Sequence, residues 1–310
     1  MNMILDFVND VNTEIYHKTI LIKAAALVDF FRKIRYSRIE ITLKGGFTND
    51  KRNFMTTHIC SSQTAFYHEL QQRFLALLQE HSLLGEQVSL SAKMLSPEEA
   101  IGIPKRKDFP ILSGKDIMVQ AECAGCLGQA FTDAPAVFHG TLEEICALDL
   151  IHSSHNRGIF IASLNAVMKH LGLVECTVHC KNDTPELCAD DALHYIRSHY
   201  ENPKIALIGY QPALLEHLSA AFRLRAVDLN PEHIGQTRHE ILIEDGNSDA
   251  VQQELCSWAD LILCTGSTVC NGTIINYLPL RSKILFYGTS LAGAAKLMDL
   301  PRLCFADRYQ

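Results

Sequence analysis

Three stretches in the last third of this chain share one layout: an apolar, β-like run stops at a glycine and a cluster of hydroxyl or amide residues. They are Ile205-Ala-Leu-Ile-Gly209-Tyr-Gln-Pro212, Ala259-Asp-Leu-Ile-Leu-Cys-Thr265-Gly-Ser-Thr268 and Lys283-Ile-Leu-Phe-Tyr-Gly288-Thr-Ser290. As neighbouring parallel strands they would put all three clusters along one carboxyl edge of a sheet, where open α/β folds bind their ligands. The intervening pattern agrees. A strand at 205–210 precedes a helix at 212–222, and a strand at 224–230 precedes a turn at Pro231. A strand at 259–265 precedes a helix from about Asn271, and a strand at 283–288 leads into the C-terminal segment. This alternation predicts a small Rossmann-like unit of four or five parallel strands.

At 310 residues the chain exceeds one average domain, and two domains of ordinary size are expected. A hydrophobic content of 47% can fill sizeable cores. No apolar run reaches the roughly 18 residues of a spanning helix. The start, Met1-Asn-Met-Ile-Leu-Asp-Phe-Val-Asn-Asp10, carries acids and lacks the basic region of a signal peptide, so a cytoplasmic location is expected. A net charge of -7, with no basic run longer than Lys105-Arg106-Lys107, argues against nucleic acid as the main partner. Eleven cysteines in a large, core-rich chain are expected to be mostly reduced. Cys264 and Cys146, inside apolar runs, read as small buried side chains.

Upstream, apolar spacing predicts helices over 28–34 and over 66–80, the latter with Phe66, Leu70, Phe74, Leu77 and Leu78 on one face. Gly45-Gly46 marks a turn between them. Alternation over 87–95 predicts a strand, and Ser96-Pro97-Glu98-Glu99 opens a short helix. Two extended runs, 116–122 and 128–133, flank Cys123-Ala-Gly-Cys126, where Gly125 suits a hairpin turn. Helices follow from Thr141 and over 156–171, the second ended by Gly172. Strands followed by helices predict an α+β domain over 1–173, and the Rossmann-like domain takes 174–310. Thr184, Pro185 and Glu186 predict the cap and first turn of a helix after the linker.

The strand-end cluster is the first candidate site. Gly209 lets the chain turn sharply, and the helix begun at Pro212 would offer an anion its free N–H groups. Gln211, Thr265, Gly266, Ser267, Thr268, Asn271, Thr273 and Gly288 add hydroxyls, amides and backbone donors. Asp228 ends its strand 19 residues past Gly209, near where a dinucleotide fold places the acid that accepts a ribose hydroxyl. Gly209-Tyr-Gln-Pro212 is not G-x-G-x-x-G, which argues against ordinary NAD or FAD. His179, Cys180 and Cys188 are the candidate metal ligands, soft donors suited to a thiophilic ion. On an extended 174–180 segment Cys176 would sit about 13 Å from Cys180, too far to share that ion. Cys123 and Cys126 supply only two ligands, in a hairpin where a thioredoxin-type site would need a helix start. His152-Ser-Ser-His155-Asn156-Arg157 precedes the helix carrying Asn165. Its residues either cap that helix, through Ser154 or Asn156, or face the domain junction, with His155 or Asn165 turned toward the site.

Gly128-Gln-Ala-Phe-Thr-Asp133, Gly140-Thr-Leu-Glu-Glu144, Ala162-Ser-Leu-Asn-Ala166, Gly209-Tyr-Gln-Pro212, Thr265-Gly-Ser-Thr268 with Asn271-Gly-Thr273, and Gly288 with Ala292-Gly293 occur in that order. Over about residues 90–310 this set resembles the heavy-metal chelation family. The resemblance implies an enolase-N-terminal-like α+β domain followed by a Rossmann-like domain, with a ligand cleft between them. Two functions are carried forward. The first is a protein that binds a heavy metal or metallo-ligand, with zinc, nickel, cobalt or iron as the metal. The second is an enzyme acting on a nucleotide-like or phosphorylated small molecule through Asp228 and the 265–273 cluster. No nucleophile with a matched base names a catalytic residue. The partner expected is a small molecule or metal, not nucleic acid or membrane, with a homo-oligomer left open.

Overall fold

The computed structural model describes residues 62–84, 90–113, 117–134 and 136–309, all within one compact unit. The helix expected over 28–34 and the turn at Gly45-Gly46 lie outside the described residues. Two sheets organise the rest.

The first sheet is antiparallel, in the order β3-β2-β1-β4, with β1 Leu90–Leu95, β2 Ile117–Cys123, β3 Cys126–Thr132 and β4 Phe138–Gly140. Cys123 and Cys126 face each other across a two-residue turn whose residues, Ala124 and Gly125, have φ of 48° and 78°. Two positive φ values give the hairpin turn whose twist matches the flanking strands. Helix α1, Gln63–Glu80, starts at Ser62, whose hydroxyl accepts from the Ala65 N–H, and buries Phe66, Tyr67, Leu70, Phe74 and Leu78. Short helices α2 (Pro97–Ile101) and α3 (Leu142–Cys146) each begin with a reciprocal capping box, Ser96 with Glu99 and Thr141 with Glu144.

Helix α4, Ser154–His170, is buried on every side from Arg157 to Met168, as a helix held between two layers must be. Its N-cap is Ser153, whose hydroxyl accepts from Asn156 N–H; neither Ser154 nor Asn156 is the cap. One side of α4 packs on β2 and β3, the other on the short helices that follow the parallel strands. Gly128 makes the first contact close: a Cβ there would lie 2.2 Å from the Ala166 nitrogen and 2.3 Å from the Ala162 oxygen.

The second sheet runs β11-β10-β9-β5-β6-β8-β7. Its strands are β5 Ile205–Ile208, β6 Leu224–Asp228, β7 Thr237–Arg238, β8 Ile241–Asp245, β9 Leu261–Thr265, β10 Ile284–Tyr287 and β11 Arg302–Leu303. Six strands are parallel, and the two-residue β7 lies antiparallel on the edge. Taken in chain order the parallel strands fall in the doubly wound order 3-2-1-4-5-6, more strands than the four or five read from sequence. Helices α5 (Thr184–His199), α6 (Pro212–Ser219), α7 (Asp249–Trp258), α8 (Thr268–Asn271) and α9 (Ala292–Leu297) connect or follow the strands. Complete burial of β5, and of β9 as far as Cys264, explains why both read as unbroken apolar runs. Among the described residues no helix is long and apolar enough to cross a membrane.

Candidate functional site

Register aligns the strand ends. Ile208 pairs with Cys264, Thr265 with Tyr287, and Asp228 with Asp245, so the segments that leave β5, β9, β10 and β6 emerge on one edge. Strand order reverses between β5 and β9, and the chain crowds there. Gly209 has φ of +90°, and a Cβ on it would sit 2.7 Å from Thr265 Cγ2. The hydroxyl of the half-buried Tyr287 donates to the Gly209 carbonyl at 3.0 Å and lies 3.2 Å from that of Ile208, fixing the turn from behind. A cavity of about 550 Å³ opens at this reversal point.

Gly209, Gln211, Asp228, Thr265, Gly266, Ser267, Thr268, Asn271, Thr273 and Gly288 all line that cavity, and so do His179, Cys180 and Cys188. Asp228 is held from two sides: Tyr210 N–H donates to Oδ2 at 2.6 Å and Asn230 N–H to Oδ1 at 2.7 Å. The Thr265 and Ser267 hydroxyls are 3.0 Å apart, and Asn271 Oδ1 accepts from both the N–H and the hydroxyl of Thr273, which leaves the Asn271 amide hydrogens for other partners. Thr289, 3% exposed, also lines the cavity, and its buried Oγ1 has no hydrogen-bond partner.

Asn165 lies elsewhere. It is completely buried behind the wall, where Nδ2 donates to the carbonyls of Gln129, Thr289 and Ser290 and Oδ1 accepts from Gly293 N–H. It positions the Gly288–Ser290 loop and touches no open space, and His155 is likewise absent from the lining. The antiparallel sheet instead contributes Phe131, Thr132 and Asp133 at the end of β3, together with Phe109, Pro110 and Ile111. Sequence reasoning named none of these as site residues. Their only signal was that Gly128–Asp133 opens the ordered motif set. Arg157 is also structural: its guanidinium donates to the carbonyls of Cys270 and Leu150 and lies over the Tyr67 ring.

The thiol wall comes from the linker and α5. Residues 174–183 form no strand. Cys176 has φ of 56°, and the segment is tied to β3 by Gln129 N–H donating to Thr177 O and His179 N–H donating to Gln129 Oε1. The helix cap is Asp183 rather than Thr184, with Pro185 in the first turn. The neighbouring Cys188 thiol, with burial, holds the Cys180 thiol well above its ordinary pKa. Cys304, a further thiol on this wall that the sequence did not single out, is pulled below its ordinary value by the Cys176 thiol and the nearby Arg302 guanidinium. Burial lowers the His179 pKa, so its ring is neutral; Nδ1 faces the Cys180 carbonyl at 2.6 Å, which places the proton on Nδ1 and the lone pair on Nε2.

His179, Cys180 and Cys188 were expected to share a metal. They line one cavity but do not assemble as a ligand set: among the described residues no three His, Cys, Asp or Glu side chains are placed to hold one ion. The imidazole keeps a free Nε2 lone pair, but its ring is not placed to share one ion with the two thiols, which leaves those as the paired donors. A closed thiophilic site takes about four ligands, so these residues do not fit a resident, protein-ligated ion.

No curated protein matches this chain. Among the solved structures that resemble it are two of DUF364 proteins with unknown function. The one from Pyrococcus horikoshii is 18% identical over 73% of this chain and 79% of its own, with a TM-score of 0.38. The one from Desulfitobacterium hafniense DCB-2 is 14% identical over 59% and 72%, with a TM-score of 0.39. Residues 191–297, which run from within α5 to the end of α9 and include the ends of β5, β6, β9 and β10, match the DUF364 family model, described as "Putative heavy-metal chelation".

Proposed function

We propose that this chain binds a metal-carrying small molecule in the cavity at the reversal point, with the thiol wall touching the metal and the strand-end wall holding the organic part. The observation that carries the reading is the mismatch between cavity and donors: about 550 Å³ of space faces one pair of neighbouring thiols. A bare ion needs far less room and more ligands. Two thiolates leave about two positions of a tetrahedral ion open, which an organic chelator can fill. The metal is then cargo, consistent with the description of the family.

The test uses the reduced full-length chain and Co(II), alone and with a small chelator such as free histidine, read by thiolate-to-cobalt charge-transfer absorption. Binding is expected to be strong only with the chelator present and to vanish in the Cys180→Ser, Cys188→Ser double variant. If no thiolate–cobalt band forms under either condition, the reading is wrong. The alternative, an enzyme for a nucleotide-like or phosphorylated substrate, keeps its diol acceptor in Asp228 but meets a first strand end where the Gly209, Tyr210 and Leu214 N–H groups are already bonded and a carboxylate stands beside them.

A further inference from the structure

Resting on that reading of the cavity as the ligand site, we infer that the organic part of the ligand is a phosphate-free nucleoside or a close analogue, neutral or cationic, whose vicinal diol is read by Asp228. In a doubly wound sheet a phosphate meets backbone N–H groups at the first strand end and the helix that follows it. Here most of those donors are taken. Gly209 N–H donates to Val227 O, Tyr210 N–H to the Asp228 carboxylate, and Leu214 N–H to the Gln211 side chain, while Pro212 has none. A phosphate at this turn would find no free donor at those positions and would approach a carboxylate, and among the described residues no lysine or arginine lines the cavity to offset it.

The same arrangement favours a diol. The two N–H groups that hold Asp228 keep it oriented, and with His233 Nδ1 3.3 Å from Oδ1 they occupy about three of the four lone-pair directions of a carboxylate, so the one left on Oδ2 remains for a hydroxyl of the diol. Beside it Leu229 lines the cavity with 37% of its surface exposed, an apolar face on which a flat base can rest. The buried, unpaired Thr289 hydroxyl is an independent sign that the cavity wall expects a polar partner. The Thr265–Ser267 hydroxyls and the Asn271 amide supply further neutral contacts.

The experiment is calorimetric titration of the full-length reduced chain with adenosine, guanosine, cytidine and uridine, then with the 2′-deoxy and 5′-monophosphate forms of whichever binds best. One ribonucleoside is expected to bind, with its 2′-deoxy and 5′-phosphate forms each weaker by roughly ten-fold or more, the scale of one lost or opposed charge-assisted hydrogen bond. Asp228→Asn should cost the ribonucleoside a similar factor and leave the deoxy form nearly unaffected. The ribo-to-deoxy comparison on the unaltered chain needs no variant to fold. Equal binding of ribo and deoxy forms, a monophosphate that binds as well as its nucleoside, or no binding by any of the four overturns the inference. Cobalt–chelator binding that persists alongside such a failure leaves the proposed function standing, since that assay does not involve Asp228.

Discussion

Replacing Asn165 by alanine should destabilise the fold by about 3–5 kcal/mol, although the residue touches no ligand and no solvent. Its amide makes four hydrogen bonds, to Gln129 O at 2.9 Å, Ser290 O at 3.1 Å, Thr289 O at 3.2 Å and from Gly293 N at 2.7 Å. Each is worth about 1 kcal/mol net, and leaving the buried Gly293 N–H unpaired adds a desolvation cost of about 1–3 kcal/mol. The three carbonyls keep a second lone pair, which holds the total below the full sum of penalties. Asn165→Asp is nearly isosteric yet should be worse, because it turns a negative oxygen toward three carbonyls in a dry site. Urea denaturation read by circular dichroism gives the comparison, with an unchanged m-value required before midpoints are converted to free energy. A loss under about 1 kcal/mol for Asn165→Ala would refute the assignment of this residue as the tie between β3 and the loop after β10.

Gly128→Ala should cost at least about 3 kcal/mol or prevent folding, since the added methyl meets helix backbone rather than a movable side chain; soluble yield and thermal unfolding report it. The Cys180→Ser, Cys188→Ser variant should keep its melting temperature within a few degrees, because neither thiol is fully buried, while losing soft-metal binding. Arg106 grips Glu186 and Glu216, and its hydrogen bond holds the Glu216 pKa below the ordinary 4.5. A depressed carboxylate pKa contributes stability that is complete above the unfolded value and is lost as pH falls. The 103–109 segment should therefore show faster amide exchange, relative to its intrinsic rate, as pH drops below about 4.5, with no such change toward neutral pH.

The parts legible in the sequence were those whose signal is local. Burial on both faces makes β5, β9 and β10 read as unbroken apolar runs, and Gly209 and Gly288, with φ of 90° and 89°, mark where they must stop. Parallel pairing in matched register then places their ends together, which is why residues 78 apart, such as Gly209 and Tyr287, meet at one cavity. Strand β8 escaped notice because only Ile243 of its five residues is buried, and β11 because it is two residues long. The helix read from about Asn271 begins instead at Thr268 and ends there, since Gly272 takes a left-handed φ of 90°. Asn165 could not have been assigned from sequence. A polar residue on a helix looks the same whether it faces a ligand or satisfies carbonyls 36 and 124 residues away.

The cavity walls come from three separate segments, the end of β3, the linker into α5 and the parallel strand ends, so a ligand that touches all three should behave as a staple on the folded state. At a free concentration 100 times its Kd, a ligand that binds only the folded chain adds about 2.7 kcal/mol, which for a unit of this size raises Tm by roughly 5–10 °C. The variants then separate support from recognition. Asn165→Ala lowers the starting Tm but leaves Asp228, Thr265 and the thiols in place, so saturation should still raise Tm by most of that amount. Asp228→Asn also starts below the parent Tm, since its amide nitrogen cannot accept from Tyr210 or Asn230 N–H, and its shift at the same ligand concentration should shrink, because a ten-fold weaker Kd removes about 1.4 kcal/mol of linkage. If Asn165→Ala abolished the shift and Asp228→Asn preserved it, the loop after β10 rather than the carboxylate would be the recognition element, and the roles assigned to these two residues would have to be exchanged.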